Sequence, residues 1–479
     1  MKVKHILKDV RFWIIIFFMV RLVGITNPPL ELSHNWRQST VTMVSRNFIE
    51  IDNNIFFPRI DIAEDKTGIT GMEFPAFNYT IYVISEIFGY QHWYGRLINL
   101  IISSLGLLFF FKLIKKYFGD PIASYATIIL LVSIWFQFSR KIMPDTFAMS
   151  LIIASIYYGS NYLDNKLRRN NIFYLCSYFL LLMFGVLSKL PSGFLLIIFG
   201  LFYLKKDITI RRKLVFSIVT VIAIIPSIIW YFYWVPYLVS EYGLWHFFMG
   251  RNFSQGYNEI IKNFGKVFSR FYDTALKFIG FSVFVIGLIV SILERNWKIF
   301  SVFMLCLASF FLIMLKAGSN FSHHNYYIIP FVPVMALVAG YGLSEIKNSK
   351  IAIILIIAIV AESLTSRLGF TEQTTTPLDY TIRERETGVL TLENDLDKIS
   401  KRNDLIIINS GAFPTPMYFA HRKGWVDTNE KINNQEYIEE LKNKGLKYIV
   451  ILKRSFGKEI KLPHYKNILE NKDYCIYKL

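Results

Sequence analysis

Residues 94–116 read Tyr94-Gly-Arg-Leu-Ile-Asn-Leu-Ile-Ile-Ser-Ser-Leu-Gly-Leu-Leu-Phe-Phe-Phe-Lys112-Leu-Ile-Lys115-Lys116. An apolar stretch with a single charge, Arg96, at its start, long enough to cross about 30 Å of hydrocarbon, ends in three lysines. That combination reads as a membrane span with its basic end on the cytoplasmic side. The rest of the chain repeats the pattern. Apolar runs of span-like length lie at about 10–27, 94–111, 121–138, 145–163, 172–188, 191–205, 213–235, 272–292, 298–316, 326–345 and 349–366. Every second connection is basic: Lys112, Lys115 and Lys116; Lys166, Arg168 and Arg169; Lys205, Lys206, Arg211, Arg212 and Lys213; Arg295 and Lys298; Lys347 and Lys350. With Lys2, Lys4, Lys8 and Arg11 before the first run, the bias orients the whole chain, because one missed span would invert every later loop.

Composition agrees. Of 479 residues, 53% are hydrophobic and 18% charged, against about 25% charged in soluble domains. Intrinsic disorder and small disulfide scaffolds are excluded. The net charge of +18 is accounted for by cytoplasmic loops, with an anionic lipid substrate as a second contributor and no nucleic acid required. Cys176, Cys306 and Cys475 show neither metal nor disulfide spacing. The basic N-terminus lacks a small-residue cleavage site and reads as a retained first span.

The expected architecture is therefore a membrane all-α protein of about eleven transmembrane helices. Residues 1–366 form the membrane domain and 367–479 a small extracytoplasmic α/β domain. Within the tail, Asp404 to Asn409, Leu446 to Leu452 and Tyr474 to Tyr477 read as strands, and Glu436 to Lys444 as a helix. The N-terminus is cytoplasmic and the membrane is the cytoplasmic one. The first outer loop, 28–93, is far longer than a connection requires.

Polar chemistry collects on the outer side. In the first loop, Ser33-His34-Asn35-Trp36-Arg37-Gln38-Ser39-Thr40 offers donors suited to a phosphate or a sugar, Arg37 foremost, as a planar fork. Read blandly, it is an interfacial helix with Trp36 as belt anchor. Asp61 and Glu73 are carboxylates that fit a general base or a cation ligand; ordinary loop acidity is the plainer reading. Asp145 follows Pro144 at the start of an apolar run, as a helix-start carboxylate or a cavity-facing charge. Arg140, Lys189 and His324 stand at other outer turns. For Lys189 the plainer reading is snorkelling. His246, with Trp245 and Arg251, is a weaker candidate.

Their order and sidedness resemble a family. The motifs are His34-Asn-Trp-Arg-Gln-Ser with Ser45-Arg46-Asn47-Phe48, Phe57-Pro58-Arg59-Ile60-Asp61, Glu73-Phe-Pro, and Gly95-Arg96-Leu97. Ser139-Arg140 with Pro144-Asp145, Leu187-Ser-Lys189, His324-Asn-Tyr-Tyr with Pro330, and Tyr418 to Trp425 complete the series. Together they look like the GT-C superfamily of polyprenyl-phosphate-sugar-dependent glycosyltransferases, near the bacterial protein O-mannosyltransferases and the lipid A aminoarabinose transferase. The resemblance implies an inverting transfer from a polyprenyl-phosphate sugar to an envelope acceptor. It also implies an acidic base in the first outer loop, basic groups on the departing phosphate, and a divalent cation in some members. The family's Asp soon after span one is Asn35 and Thr40 here, with no carboxylate between Glu31 and Glu50. By resemblance the base then falls to Glu31, Asp61 or Glu73, and Asp145 orients the acceptor or a cation. Arg37, Arg140 and Lys189 take the phosphate, and His34, Gln38 and His324 bind substrate. A glycan flippase and an O-antigen-type polymerase are the alternatives. The first suffers from the absence of internal repeats, the second from a large loop placed early instead of late.

Overall fold

The computed structural model describes residues 9–164, 170–246, 250–365, 378, 380–457, 460, 462 and 464–479. Two compact units are built from interleaved stretches of chain. One comprises Met1–Ile25, Arg96–Tyr231 and Phe248–Asp379; the other comprises Thr26–Gly95, Phe232–Phe247 and Tyr380–Leu479.

The first unit is helical. Among the described residues five helices are long and apolar enough to cross a membrane: Tyr94–Phe118, Asn171–Ser188, Ile210–Tyr242, Trp297–Ala317 and Asn325–Ser344. A sixth is counted if Phe264–Ala275 and Lys277–Leu293, bent by 98°, make one span. The expectation of eleven is thus not met. In the remaining runs the described helices are short, broken or more polar. The first helix stops at Arg21 after 12 residues. Run 121–138 breaks at Ser133, whose side chain accepts from the Trp135 amide and starts a new helix. Run 191–205 opens as a 3-10 segment, Leu190–Ile198, and Lys277 at the bend holds φ 61°. The helix Pro144–Asp164 is unbroken but rich in Ser, Thr and Tyr, and Ser349–Thr365 has 17 residues.

The core of this unit is aromatic. Phe310 and Phe331 stack at 4.9 Å and Tyr178 and Phe216 at 4.6 Å. The helix Val332–Ser344 is buried along nearly its whole length, and small residues let its neighbours approach. A Cβ at Gly287 would lie 2.2 Å from the Val338 carbonyl, and one at Gly340 2.6 Å from the Ala126 nitrogen. Apolar helices in lipid gain most from such close backbone packing.

The second unit holds a five-stranded sheet: β1 (Leu405–Ile408), β2 (Gly424–Val426), β3 (Leu446–Leu452), β4 (Lys466–Glu470) and β5 (Tyr474–Lys478). The order is β2-β1-β3-β5-β4, with β1 parallel to β2 and β3, and β5 antiparallel to β3 and β4. Alternation sorts the faces. Ile407, Ile449 and Cys475 pack with Ile432, Ile438 and Leu441. Ile406, Ile408, Tyr448 and Val450 belong to a second core with Leu392, Met417 and Tyr418, and with Met43, Val44 and Phe48 of the first loop.

Those last three residues lie on the helix Asn35–Glu50, which is pinned along one face. Asn35 Nδ2 donates to Glu386 Oε2 (3.0 Å), and Ser39 Oγ meets Thr415 Oγ1 (3.0 Å). Arg46 Nη1 donates to the Tyr418 carbonyl (2.9 Å), and Glu50 Oε2 meets His421 Nε2 (2.6 Å). Spacings of 4, 7 and 4 are the helical repeat of one stripe. His421 also meets Glu393 through Nδ1 at 2.6 Å. Burial pushes the imidazole toward neutrality, but the two carboxylates outweigh it and raise its proton affinity.

Candidate functional site

In the second unit the site grows from a bridge between distant stretches. The Gly71 nitrogen donates to the Leu244 carbonyl (3.1 Å), and the His246 nitrogen to the Gly71 carbonyl (2.9 Å). A glycine is required, because a Cβ there would lie 2.6 Å from Val239. The bridge carries His246 beside Glu73. Across from them, Arg37 rises from the first turns of the helix Asn35–Glu50. Its Nη2 donates to Glu73 Oε1 at 2.5 Å, both side chains being 9% exposed, and its Nη1 lies 3.4 Å from His246 Nε2.

Arginine has only donors, so His246 Nε2 accepts and the imidazole is the neutral tautomer with its proton on Nδ1. Burial first, and the Arg37 charge second, push its pKa down to about 4 against the pull of Glu73. The result is a buried cation, anion and neutral imidazole within hydrogen-bond reach. Such a trio can hold a phosphate or a sugar hydroxyl without taking up a proton at neutral pH.

Asp61 lies apart from this trio. Arg46 Nη2 reaches its Oδ2 (2.7 Å) and Asn47 Nδ2 its Oδ1 (2.8 Å). Its carbonyl accepts from the Gly424 nitrogen at 3.1 Å, and the Arg46 guanidinium lies 4.6 Å from the Tyr418 ring centre. Both carboxylate oxygens are engaged, and the whole arrangement fastens the loop to β2. His34 stands at the helix start in the left-handed region (φ 63°), directly after Ser33 (φ 67°). Gln38 is fully buried one turn further on.

In the first unit Asp145 opens the helix Pro144–Asp164, with Lys189 Nζ 3.6 Å from its Oδ1. Lys189 lies 5.7 Å from the Tyr326 ring centre, and His324 stacks on Tyr326 at 5.3 Å. Asp145, Lys189 and His324 thus form one neighbourhood. Its scaffold is Asn99, which the sequence reading passed over. Asn99 Nδ2 donates to the carbonyls of Phe138, Lys141 and Met143, and its Oδ1 accepts from Thr146. A lone amide inside an apolar run is the signal that would have found it. Arg140 is engaged otherwise. Its Nε and Nη2 donate to the carbonyls of Arg21 (2.9 Å) and Val23 (2.8 Å), where a cation satisfies the last carbonyls of the helix Val10–Arg21.

The described residues contain no group of three or more His, Cys, Asp or Glu side chains that could hold a metal ion.

Residues 72–230 match the family model described as dolichyl-phosphate-mannose-protein mannosyltransferase, a stretch that takes in Glu73, Asp145 and Lys189. No curated protein sequence matches the chain. Among solved structures, ArnT from Cupriavidus metallidurans bound to undecaprenyl phosphate is similar at 12% identity and TM-score 0.58, covering 97% of this chain and 98% of that one. The apo form of the same protein gives 11% and 0.61 at 97% of each chain. The apo oligosaccharyltransferase of Archaeoglobus fulgidus gives 11% and 0.57, covering 91% of this chain and 69% of that one. The chain shares the fold of these proteins. The resemblance drawn from the sequence motifs is therefore borne out.

Proposed function

We propose that the protein moves a sugar from a polyprenyl-phosphate donor to a cell-envelope acceptor (lipid, glycan or protein) at the outer face of the cytoplasmic membrane. The likeness to ArnT along nearly all of both chains carries this reading. One of those ArnT structures is bound to undecaprenyl phosphate, and the family model over residues 72–230 is that of an enzyme class using a polyprenyl-type donor.

The chemistry available suits it. Transfer from a phosphate-linked sugar needs the leaving phosphate neutralised, and pre-placed cations in a site shielded from water do this best. Each unit holds one such cation paired with a carboxylate: Arg37 with Glu73 in one, Lys189 with Asp145 in the other. Neutral His246 adds a donor at Nδ1 for a substrate oxygen. Gln38, His34 and His324 are polar groups for the sugar.

The test uses purified full-length protein in detergent with radiolabelled polyprenyl-phosphate sugars and an envelope lipid extract. Acceptor-dependent release of free polyprenyl phosphate is expected. Donor binding without any release would overturn the transferase reading and favour a transporter.

A further inference from the structure

Two hydrogen bonds lay residues 380–386 beside residues 27–35. Asn27 Nδ2 donates to the Tyr380 carbonyl (3.2 Å), and Asn35 Nδ2 to Glu386 Oε2 (3.0 Å). The second brings a carboxylate from the 3-10 segment Glu384–Thr391 to the first residue of the helix that carries Arg37. The helix supplies no acidic residue of its own in that turn. The backbone just before it is strained. Ser33 and His34 both hold positive φ, a conformation costing of order 1–3 kcal/mol per residue and concentrated at functional sites.

The environment of Glu386 differs from that of the other candidate carboxylates. Asp61 has its own arginine at 2.7 Å and Glu73 at 2.5 Å. Around Glu386 the pairing is looser, with Arg383 Nη1 3.8 Å from Oε1, and the nearer partner is the neutral Asn35 amide at 3.0 Å. The side chain is 21% exposed, so a substrate hydroxyl can reach it. Burial raises its proton affinity, and Arg383, Arg385 and the Asn35 hydrogen bond only partly oppose this. Glu50, Asp52, Glu393 and Asp395 of the same unit move the other way. A partly exposed carboxylate beside a helix N-terminus, with its proton affinity raised by burial, is suited to take a proton from an acceptor hydroxyl.

We propose that Glu386 is the general base of the transfer, supplied to the first loop by the C-terminal segment. The assignment rests on the transferase reading above. The acceptor O–H bond breaks and its proton passes to Glu386. The acceptor oxygen bonds to the anomeric carbon as the bond from that carbon to the phosphate oxygen breaks. The electron pair leaves on the polyprenyl phosphate.

The release assay, run across pH with donor binding and melting temperature measured in parallel, tests this. Glu386→Gln is expected to lower kcat at least about 100-fold with donor binding retained, and Glu386→Asp to restore part of it. Arg383→Gln removes an opposing charge, so the acid limb of the kcat profile is expected to move to higher pH. Wild-type turnover in Glu386→Gln overturns the assignment while leaving the transferase reading intact. Absence of release from the unaltered protein overturns both. Should Glu386→Gln fail to fold, the Arg383→Gln limb decides, and an unmoved limb overturns the assignment.

Discussion

His246 shows how one residue acquires a role that its type alone does not announce. An exposed imidazole titrates near 6.5; this one is held at about 4 by burial and by the charge of Arg37. Its folded proton affinity lies below its unfolded one, so the unfolded chain takes up a proton first as pH falls. Stability on this account is fully present above about pH 6.5 and is lost as pH falls toward 4. Melting temperature recorded between pH 7 and 4.5 should decline, and His246→Gln should flatten that part of the decline. An equally steep slope in the variant would mean that the imidazole is already charged in the folded protein. Arg37 and Glu73 were legible in the sequence as isolated polar residues in a long loop. Their joining to His246 was not, because it depends on a backbone bridge between Gly71 and residues 244–246, a pairing that no local pattern encodes.

At the scale of elements, the helix Asn35–Glu50 is held by one stripe: Asn35, Ser39, Arg46 and Glu50. A polar stripe at helical spacing reads in sequence as a solvated face, and here it faces the C-terminal segment instead. That is why Asp61 read as a base candidate, although its two oxygens are occupied by Arg46 and Asn47. Asp61→Asn should cost about 3–5 kcal/mol, the usual penalty for leaving a buried partner charge uncompensated, seen as a lower melting temperature and faster proteolysis of residues 380–479. If turnover vanished while melting stayed unchanged, Asp61 would be chemical and not structural. The strands that are short apolar runs, β1, β3 and β5, lie where the pattern puts them. β2 and β4 were not legible. The first is three residues long and the second is half-exposed with Lys, Asn and Glu, so neither offers the apolar alternation that marks a strand.

For the whole molecule, the hydrophobic count and basic loops identify a membrane protein, whereas the number of complete spans depends on breaks that hydropathy averages over. Ser133 and the bend at Lys277 each interrupt a run whose composition alone looks continuous. A molecule that binds a lipid phosphate in its folded form only should be stabilised by it. At 100 times Kd the gain is about 2.7 kcal/mol, so polyprenyl phosphate added to detergent-solubilised protein should raise the melting temperature in a concentration-dependent way. Inorganic phosphate at the same concentration should raise it less, since it lacks the chain. Equal effects from both would limit recognition to the headgroup.

The second unit is interleaved: its first stretch closes at Gly95, and its sheet starts only at Leu405. During synthesis at about 5–20 residues per second, the helix Asn35–Glu50 therefore waits on the order of tens of seconds for Tyr418 and His421 to be made. Throughout that interval Met43, Val44 and Phe48 have no sheet to cover them. Nascent chains are then exposed to proteases and holding chaperones on the side where this loop emerges. A chain cut short before β1 keeps only the loop's own partners for that helix, among them Ile60, Met72 and Tyr82, and lacks the sheet that completes its cover.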